Sequence, residues 1–271
     1  MTSTAVLRCL LTGLVLTLAA GSASAQRRLR SGLETLTDLQ VDYALRSGDY
    51  VWGRFASQHA IGRSYGSSYF VYNQALVGYE HFWSDSWSGG LNAAAFVYEE
   101  VFNNRLRATL APEVLLRHRS QALGLTWGQR LGLSYSLLPE PQRNTGVASL
   151  RLDVERLLPV GPRLKLRPRL AFEAGTALRI QPPDDAPDER TIDYTQLRAE
   201  VGIRLSDRLD LTPYFARQTQ YILALEQFSP TGEPLPAGRT NIVTPAVGLD
   251  LRLTLFQGGQ PFERRQLPTQ H

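Results

Sequence analysis

Of the 271 residues one is cysteine, one is methionine and four are histidine, and each scarcity removes a class of protein. The cysteine, Cys9, falls in an N-terminal leader, so the rest of the chain holds no thiol for a disulfide or a thiolate metal site. Beyond the leader no apolar run approaches the roughly 18 residues that mark a transmembrane helix. No linker, composition break or low-complexity segment divides the remainder, so one domain is expected. The net charge of +4 and pI near 9.4 suggest an acidic partner, but the arginines alternate with leucines instead of clustering, and no nucleic-acid partner is expected.

Residues 1–25 read as a secretory signal peptide cleaved after Ala25. Arg8 supplies the positive region, residues 10–20 the apolar stretch, and Ala23-Ser24-Ala25 the small-residue cleavage site. The alternative is an uncleaved anchor, for which the apolar run falls short of the roughly 20 residues a spanning helix needs. Cys9 sits within the apolar stretch, away from the cleavage site, which argues against a lipoprotein.

What remains repeats one pattern: about ten residues that are apolar at every second position. Leu164, Leu166, Pro168, Leu170 and Phe172 fall on one side of such a segment, with Lys165, Arg167, Arg169 and Glu173 on the other. Leu106, Ala108, Leu110, Pro112, Val114 and Leu116 oppose Arg107, Thr109, Glu113 and Arg117. Leu123, Leu125, Trp127, Leu131 and Leu133 oppose a face of small and polar residues. Leu150, Leu152 and Val154 alternate with Arg151, Asp153 and Glu155; Leu197, Ala199, Val201 and Ile203 with Arg198, Glu200 and Arg204. The series closes with Val247, Leu249, Leu251, Leu253 and Leu255 against Asp250, Arg252 and Thr254. Such strands build either a soluble sandwich with charges outward or a membrane barrel with charges in the lumen, and periodicity alone does not separate them.

The connections do. Short turns at Ser47-Gly48-Asp49, Ser84-Asp85-Ser86, Arg119-Ser120, 159–162 and Ser206-Asp207-Arg208 alternate with longer segments at 61–68, 99–104, 138–146, 177–190 and 225–239. Outer-membrane barrels have short periplasmic turns and longer extracellular loops. The reading is therefore an all-β, antiparallel, up-and-down transmembrane β-barrel over residues 26–256, followed by a polar C-terminal tail at 257–271. Aromatic residues at strand ends, Tyr43, Tyr50, Trp52, Tyr69, Tyr72, Tyr79, Phe82, Trp83 and Trp87, fit a belt at the lipid headgroups; ordinary core packing is the other explanation. About eleven candidate strands can be counted from Leu39, an unusual odd number. Ten strands result if the segment at 39–46 precedes the barrel and the strand from Tyr50 opens it, with both ends periplasmic; twelve result if one has been overlooked. Pro112, Pro168, Pro213 and Pro245 lie inside apparent strands, where bulges or kinks are expected.

The segment Asp193-Tyr194-Thr195-Gln196-Leu197-Arg198, with Val201-Gly202-Ile203-Arg204-Leu205-Ser206 and the stretch 209–214, resembles the late hairpin of a family of predicted outer-membrane barrels that carries only a domain-of-unknown-function label. The stretch 113–119 resembles its middle strands, so the likeness covers about half the chain after the leader. It implies a barrel in the outer membrane of a Gram-negative cell. The final strand partly resembles the signal read by the barrel-assembly machinery, through Gly248, Leu251 and Leu253; it departs from that signal because Phe256 is followed by a tail to His271. Outer-membrane lipid and the assembly machinery are the expected partners, with small ions or solutes as candidate cargo.

Chemistry is sparse, and no enzyme, cofactor or metal is expected. His59, His81, His118 and His271 are the only histidines. His118-Arg119-Ser120 is placed at a periplasmic turn, where neighbouring residues do not make a nucleophile and its base. His59 approaches an outer loop and has Asp184, Asp185 or Asp188 as candidate partners, the basis of an alternative as a barrel hydrolase acting on lipid or peptide. The acidic group at 184–189 lacks the spacing and glycine of a calcium loop. The expected lumen charges are Arg107, Glu113, Arg151, Asp153, Glu155, Lys165, Arg167, Arg169, Glu173, Arg198, Glu200, Arg204, Asp210, Asp250 and Arg252. They form either a charge-paired plug or the lining of a small porin-like, anion-selective pore; unpaired charge in a narrow interior is costly, which favours the plug. A non-enzymatic structural, small-pore or surface-interaction role is the expectation, with a soluble periplasmic β-sandwich that binds lipid or ligand as a further alternative.

Overall fold

A computed structural model describes residues 27–61, 69–100, 105–137, 144–160, 164–178, 191–224, 227–228, 234–235 and 238–262. The leader with its cleavage site, most of the longer loops with Asp184, Asp185 and Asp188, and the tail from 263 lie outside the described residues.

Eleven strands close into one barrel: β1 (Leu33–Ala44), β2 (Tyr50–Ile61), β3 (Tyr69–Phe82), β4 (Trp87–Glu100), β5 (Arg105–Ala122), β6 (Leu125–Ser136), β7 (Thr145–Glu155), β8 (Leu164–Leu178), β9 (Tyr194–Arg204), β10 (Leu209–Ala224) and β11 (Gly238–Phe256). Each pairs antiparallel with the next, and β11 pairs with β1 to complete the circle. Closure abolishes the edges that an open sheet would expose and excludes two packed sheets, so the sandwich alternative falls. The strand from Leu33 belongs to the barrel, so the count is the eleven read along the sequence, and neither adjustment, to ten or to twelve, applies. An odd count forces the first and last strands to run the same way, and β1 and β11 are parallel from Glu34 with Ala246 to Ala44 with Phe256. Consequently β1 starts at the mouth carrying the longer loops and β11 ends at the opposite one, which corrects the expectation that both ends share a side. A short strand, Arg27–Arg30, extends the parallel seam against Thr240–Val243, and Leu158–Val160 prolongs the hairpin of β7 and β8.

The prolines leave the register unshifted but interrupt the ladder on one side. Pro112, Pro168 and Pro213 pair with Ala93, Val201 and Leu249, while on the other flank pairing lapses between Glu113–Ser134 and Leu110–Leu137, between Arg169–Glu155 and Leu166–Leu158, and between Glu200–Tyr214 and Ile203–Leu211. The register of β2 against β3 shifts between Gln58 and His59. Pro245 does mark a slip: three residues of one strand separate Arg30 from Glu34, while two of the other separate Val243 from Ala246. One hairpin turn also moves. β5 runs through Arg119 and Ser120, and the turn is Leu123-Gly124, both at positive φ of 58° and 71°. That pair of angles is the type I′ geometry that matches strand twist.

Alternation then sets the two faces. Leu39, Val51, Phe55, Val77, Leu91, Val114, Leu131, Leu152, Phe172, Leu197, Phe215 and Leu251 are all exposed on the outer wall, which is apolar around the whole circumference. The lumen holds the buried charges, among them Glu80, Arg117, Arg169, Arg198, Glu200, Asp250 and Arg252. Of the aromatic residues expected at strand ends, Tyr43, Tyr79, Trp83 and Trp87 are exposed at the short-turn mouth, joined by Trp127. Tyr50 and Trp52 are buried, and Phe82 packs beside Tyr50. Tyr72 faces the lumen.

Candidate functional site

The lumen divides along its axis into a charged middle, an aromatic end and an open vestibule. In the middle, arginines from one strand meet carboxylates from another. Arg198 donates to Glu200 Oε2 and Asp250 Oδ2, both at 2.5 Å, and Arg169 lies 2.8 Å from Glu200 Oε1. Arg54 donates to Asp38, while Arg252 lies 3.7 Å from Asp42, which also accepts from Gln40. On the opposite wall Arg117 donates to Glu80 at 2.8 Å, Arg130 to Glu113 at 2.5 Å, and Arg151 and Arg167 approach Glu173 and Glu155 at 3.8 and 3.6 Å. Arg204 bonds Asp210 at 3.2 Å near the short-turn mouth. Each charge costs several kcal/mol to bury and is tolerable only with such a partner. Two cavities in this layer are water-sized, about 20 and 10 Å³.

Small residues make room for the long side chains. A methyl group at Gly128 would overlap Asp153, and one at Gly132 would overlap Glu113 and Ser149. Cross-strand pairs of aromatic and glycine do the same for rings: Trp52 lies on Gly78, Tyr194 on Gly175 and Tyr214 on Gly248. The guanidinium of Arg198 stacks on Tyr214, 3.3 Å from the ring centre.

At the short-turn mouth Ala44, Tyr50 and Phe256 form a buried cluster with Phe82 and Phe262. The tail reaches it by turning under the barrel: Gly258 and Gly259 have φ of 83° and 78°, Gln257 N–H donates to Ala44 O at 3.0 Å, and Phe262 meets Phe256 edge to face at 5.1 Å. Phe256 is therefore an inward plug residue. Beside it Asp49 ties the first turn to the end of β3, accepting from Tyr79 Oη at 2.9 Å and Phe82 N–H at 3.2 Å and pairing with His81 Nδ1 at 3.0 Å. Burial works to raise the pKa of this carboxyl, but the bonds from His81, Phe82, Tyr79 and Ser47 together hold it below the usual carboxylate range.

Toward the longer loops the lumen opens into a vestibule of about 670 Å³. Tyr72, Phe96, Tyr98 and Tyr194 wall it, with Gln74, Gln196, Gln218 and Thr109 between the rings; Arg54, Arg198, Tyr214 and Glu173 make its floor. Tyr194 Oη donates to Glu173 at 3.0 Å, and Tyr72 and Phe96 meet edge to face at 6.2 Å.

Of the charges expected in the lumen, Arg151, Arg167, Arg169, Arg198, Glu200, Asp210, Asp250 and Arg252 are buried, and Glu113, Glu155, Glu173 and Arg204 are half-buried. Arg107 lies near the vestibule end, Asp153 lines one of the small cavities, and Lys165 is exposed at the short-turn mouth. The expectation missed Glu34, Asp38, Asp42, Arg54, Glu80, Arg117 and Arg130 as members of the same network. Those on β1 and β2 were legible as the polar half of two short alternations, beginning Leu39, Val41, Tyr43 against Asp38, Gln40, Asp42. His59 points outward, where its Nε2 is 3.0 Å from Ser57 Oγ. His118 is on a strand, packed against Trp87 with ring centres 4.5 Å apart, and not at a turn. Among the described residues no three His, Cys, Asp or Glu side chains converge as a metal site.

Fold and lumen together define a closed β-barrel with an apolar outer wall and an ion-paired interior. Neither protein-family models, curated proteins nor solved structures yield a match to the chain.

Proposed function

We propose that the chain is an exported outer-membrane β-barrel protein of a Gram-negative cell, non-enzymatic, with a sealed lumen and a vestibule facing the exterior. One observation carries the reading: the outer wall is apolar around the full circumference, with Leu91 61% and Val77 63% exposed, while ionised side chains fill the inside. Water-soluble monomers rarely expose apolar patches beyond a few hundred Å², whereas hydrocarbon requires such a wall and satisfied backbone groups. Tyr79, Trp83, Trp87 and Trp127 at the short-turn mouth suit a headgroup belt, and the shortness of the turns there supports a periplasmic side for that mouth. Kinship with the unassigned family of predicted outer-membrane barrels, and insertion by the barrel-assembly machinery, belong to the same proposal.

The paired charges support a plug in preference to a porin-like channel, giving a structural or surface-interaction role. The test is membrane fractionation with gel mobility before and after boiling. A heat-shifted protein in the outer-membrane fraction supports the proposal; a soluble protein of unchanged mobility contradicts it.

A hydrolase is the second reading, favoured by the 3.0 Å contact of Ser57 Oγ with His59 Nε2, a distance at which a base can activate a nucleophile. Labelling of Ser57 by a fluorophosphonate, lost in His59→Ala, supports it, and absence of labelling removes it.

A further inference from the structure

The vestibule has a composition that the sealed lumen does not require. Its charges are already spent: Arg54 is held by Asp38, Arg198 by Glu200 and Asp250, and Glu173 accepts from Tyr194. An ionic ligand therefore finds no uncompensated counter-charge on this floor. The polar groups left over are neutral. Gln74, Gln196 and Gln218 line the vestibule, and Thr109 Oγ1 is buried without a hydrogen-bond partner among the described residues. A purely apolar guest would strip water from these groups and return no hydrogen bond in exchange.

Between the amides stand ring surfaces. Tyr194 lies against the wall because Gly175 leaves no side chain beneath it, and its hydroxyl is fixed on Glu173. Tyr72 and Phe96 brace each other across neighbouring strands. Tyr214 differs, since Arg198 already stacks on it. Rigid ring faces interleaved with amide donors and acceptors suit a molecule with apolar C–H faces and a rim of hydroxyls. We propose that the vestibule is a binding site for a neutral saccharide, taken from outside through the long-loop mouth. Its volume of about 670 Å³ lies within the roughly 300–1,000 Å³ of small-ligand sites and admits a short oligosaccharide. A free oligosaccharide and a segment of neutral surface polysaccharide present the same chemistry.

The proposal rests on lumen geometry and is independent of where the barrel resides. Its test uses the full chain in a detergent without a sugar headgroup, with calorimetric titration of maltotetraose, cellotetraose and a delipidated neutral O-chain polysaccharide; tetragalacturonate is the charged control. Saturable binding of a neutral probe is expected, weakened at least tenfold in Gln74→Leu and in Gln218→Leu, with no binding of the control. Preference for the short probes assigns the site to free oligosaccharide, and preference for the O-chain to surface polysaccharide. Failure of all three neutral probes, stronger binding of tetragalacturonate, or equal binding by both variants overturns the proposal. Heat-shifted mobility of the same samples shows that the barrel is folded, which separates this failure from failure of the membrane reading.

Discussion

Arg198 and Asp250 meet at 2.5 Å across an intervening strand, joining β9 to β11 over β10. The same guanidinium holds Glu200 and stacks on Tyr214, so one side chain links three strands beside the parallel seam. Removing one member of a buried pair strands the other without compensation, at about 3–5 kcal/mol. Arg198→Gln and Asp250→Asn should each lose about that much in urea unfolding from lipid vesicles, and the double variant should lose clearly less than their sum.

Arg117 and Glu80 are nearly fully buried, and Glu80 also accepts from Ser88 Oγ at 2.7 Å. Arg117→Met with Glu80→Met should be close to neutral or stabilising, while Glu80→Met alone should cost about 3–5 kcal/mol. A double-mutant cycle by the same unfolding measurement checks this.

Gly248 faces Tyr214 so closely that an added methyl group overlaps the ring, and Arg198 blocks the ring's retreat. Gly248→Ala should destabilise by about 1–3 kcal/mol, as overpacking does. Adding Tyr214→Ser should restore much of that loss, which thermal unfolding can read.

Asp49 gives a pH dependence whose sign is fixed. Its folded pKa lies below the ordinary aspartate value, so its stabilising contribution is complete above that ordinary value and is lost as pH falls through the depressed folded one. Unfolding midpoints between pH 5 and about 2 should fall more steeply for the natural chain than for Asp49→Asn, since about one carboxylate's worth of linkage disappears.

Much of this architecture is written in period-two alternation, because one face of every strand meets ions and the other does not. Leu164 to Phe172 and Leu249 to Leu255 declare both strand and facing unaided. The strand from Leu33 is harder, since Leu36 turns inward while Thr35 and Thr37 occupy the outer face near the loop mouth, so only the half from Asp38 alternates cleanly. Its partner is also remote in sequence: the parallel seam with β11 has no hairpin to announce it. Tyr50, Trp52 and Phe82 read as belt residues in the sequence because an aromatic at a strand end carries no sign of its facing; Gly78 opposite Trp52 is the clue to an inward ring. The vestibule, built from side chains on strands scattered along the chain, becomes visible only when the barrel closes.

The central claim is that the outer wall faces hydrocarbon, and nitroxide accessibility measures that directly. With Cys9 replaced, single cysteines at Leu131, Phe172 and Leu251 can be spin-labelled in proteoliposomes and compared for collision with oxygen and with a water-soluble nickel chelate. High oxygen and low nickel accessibility at all three is the predicted result; ready collision with nickel at these positions would contradict the account.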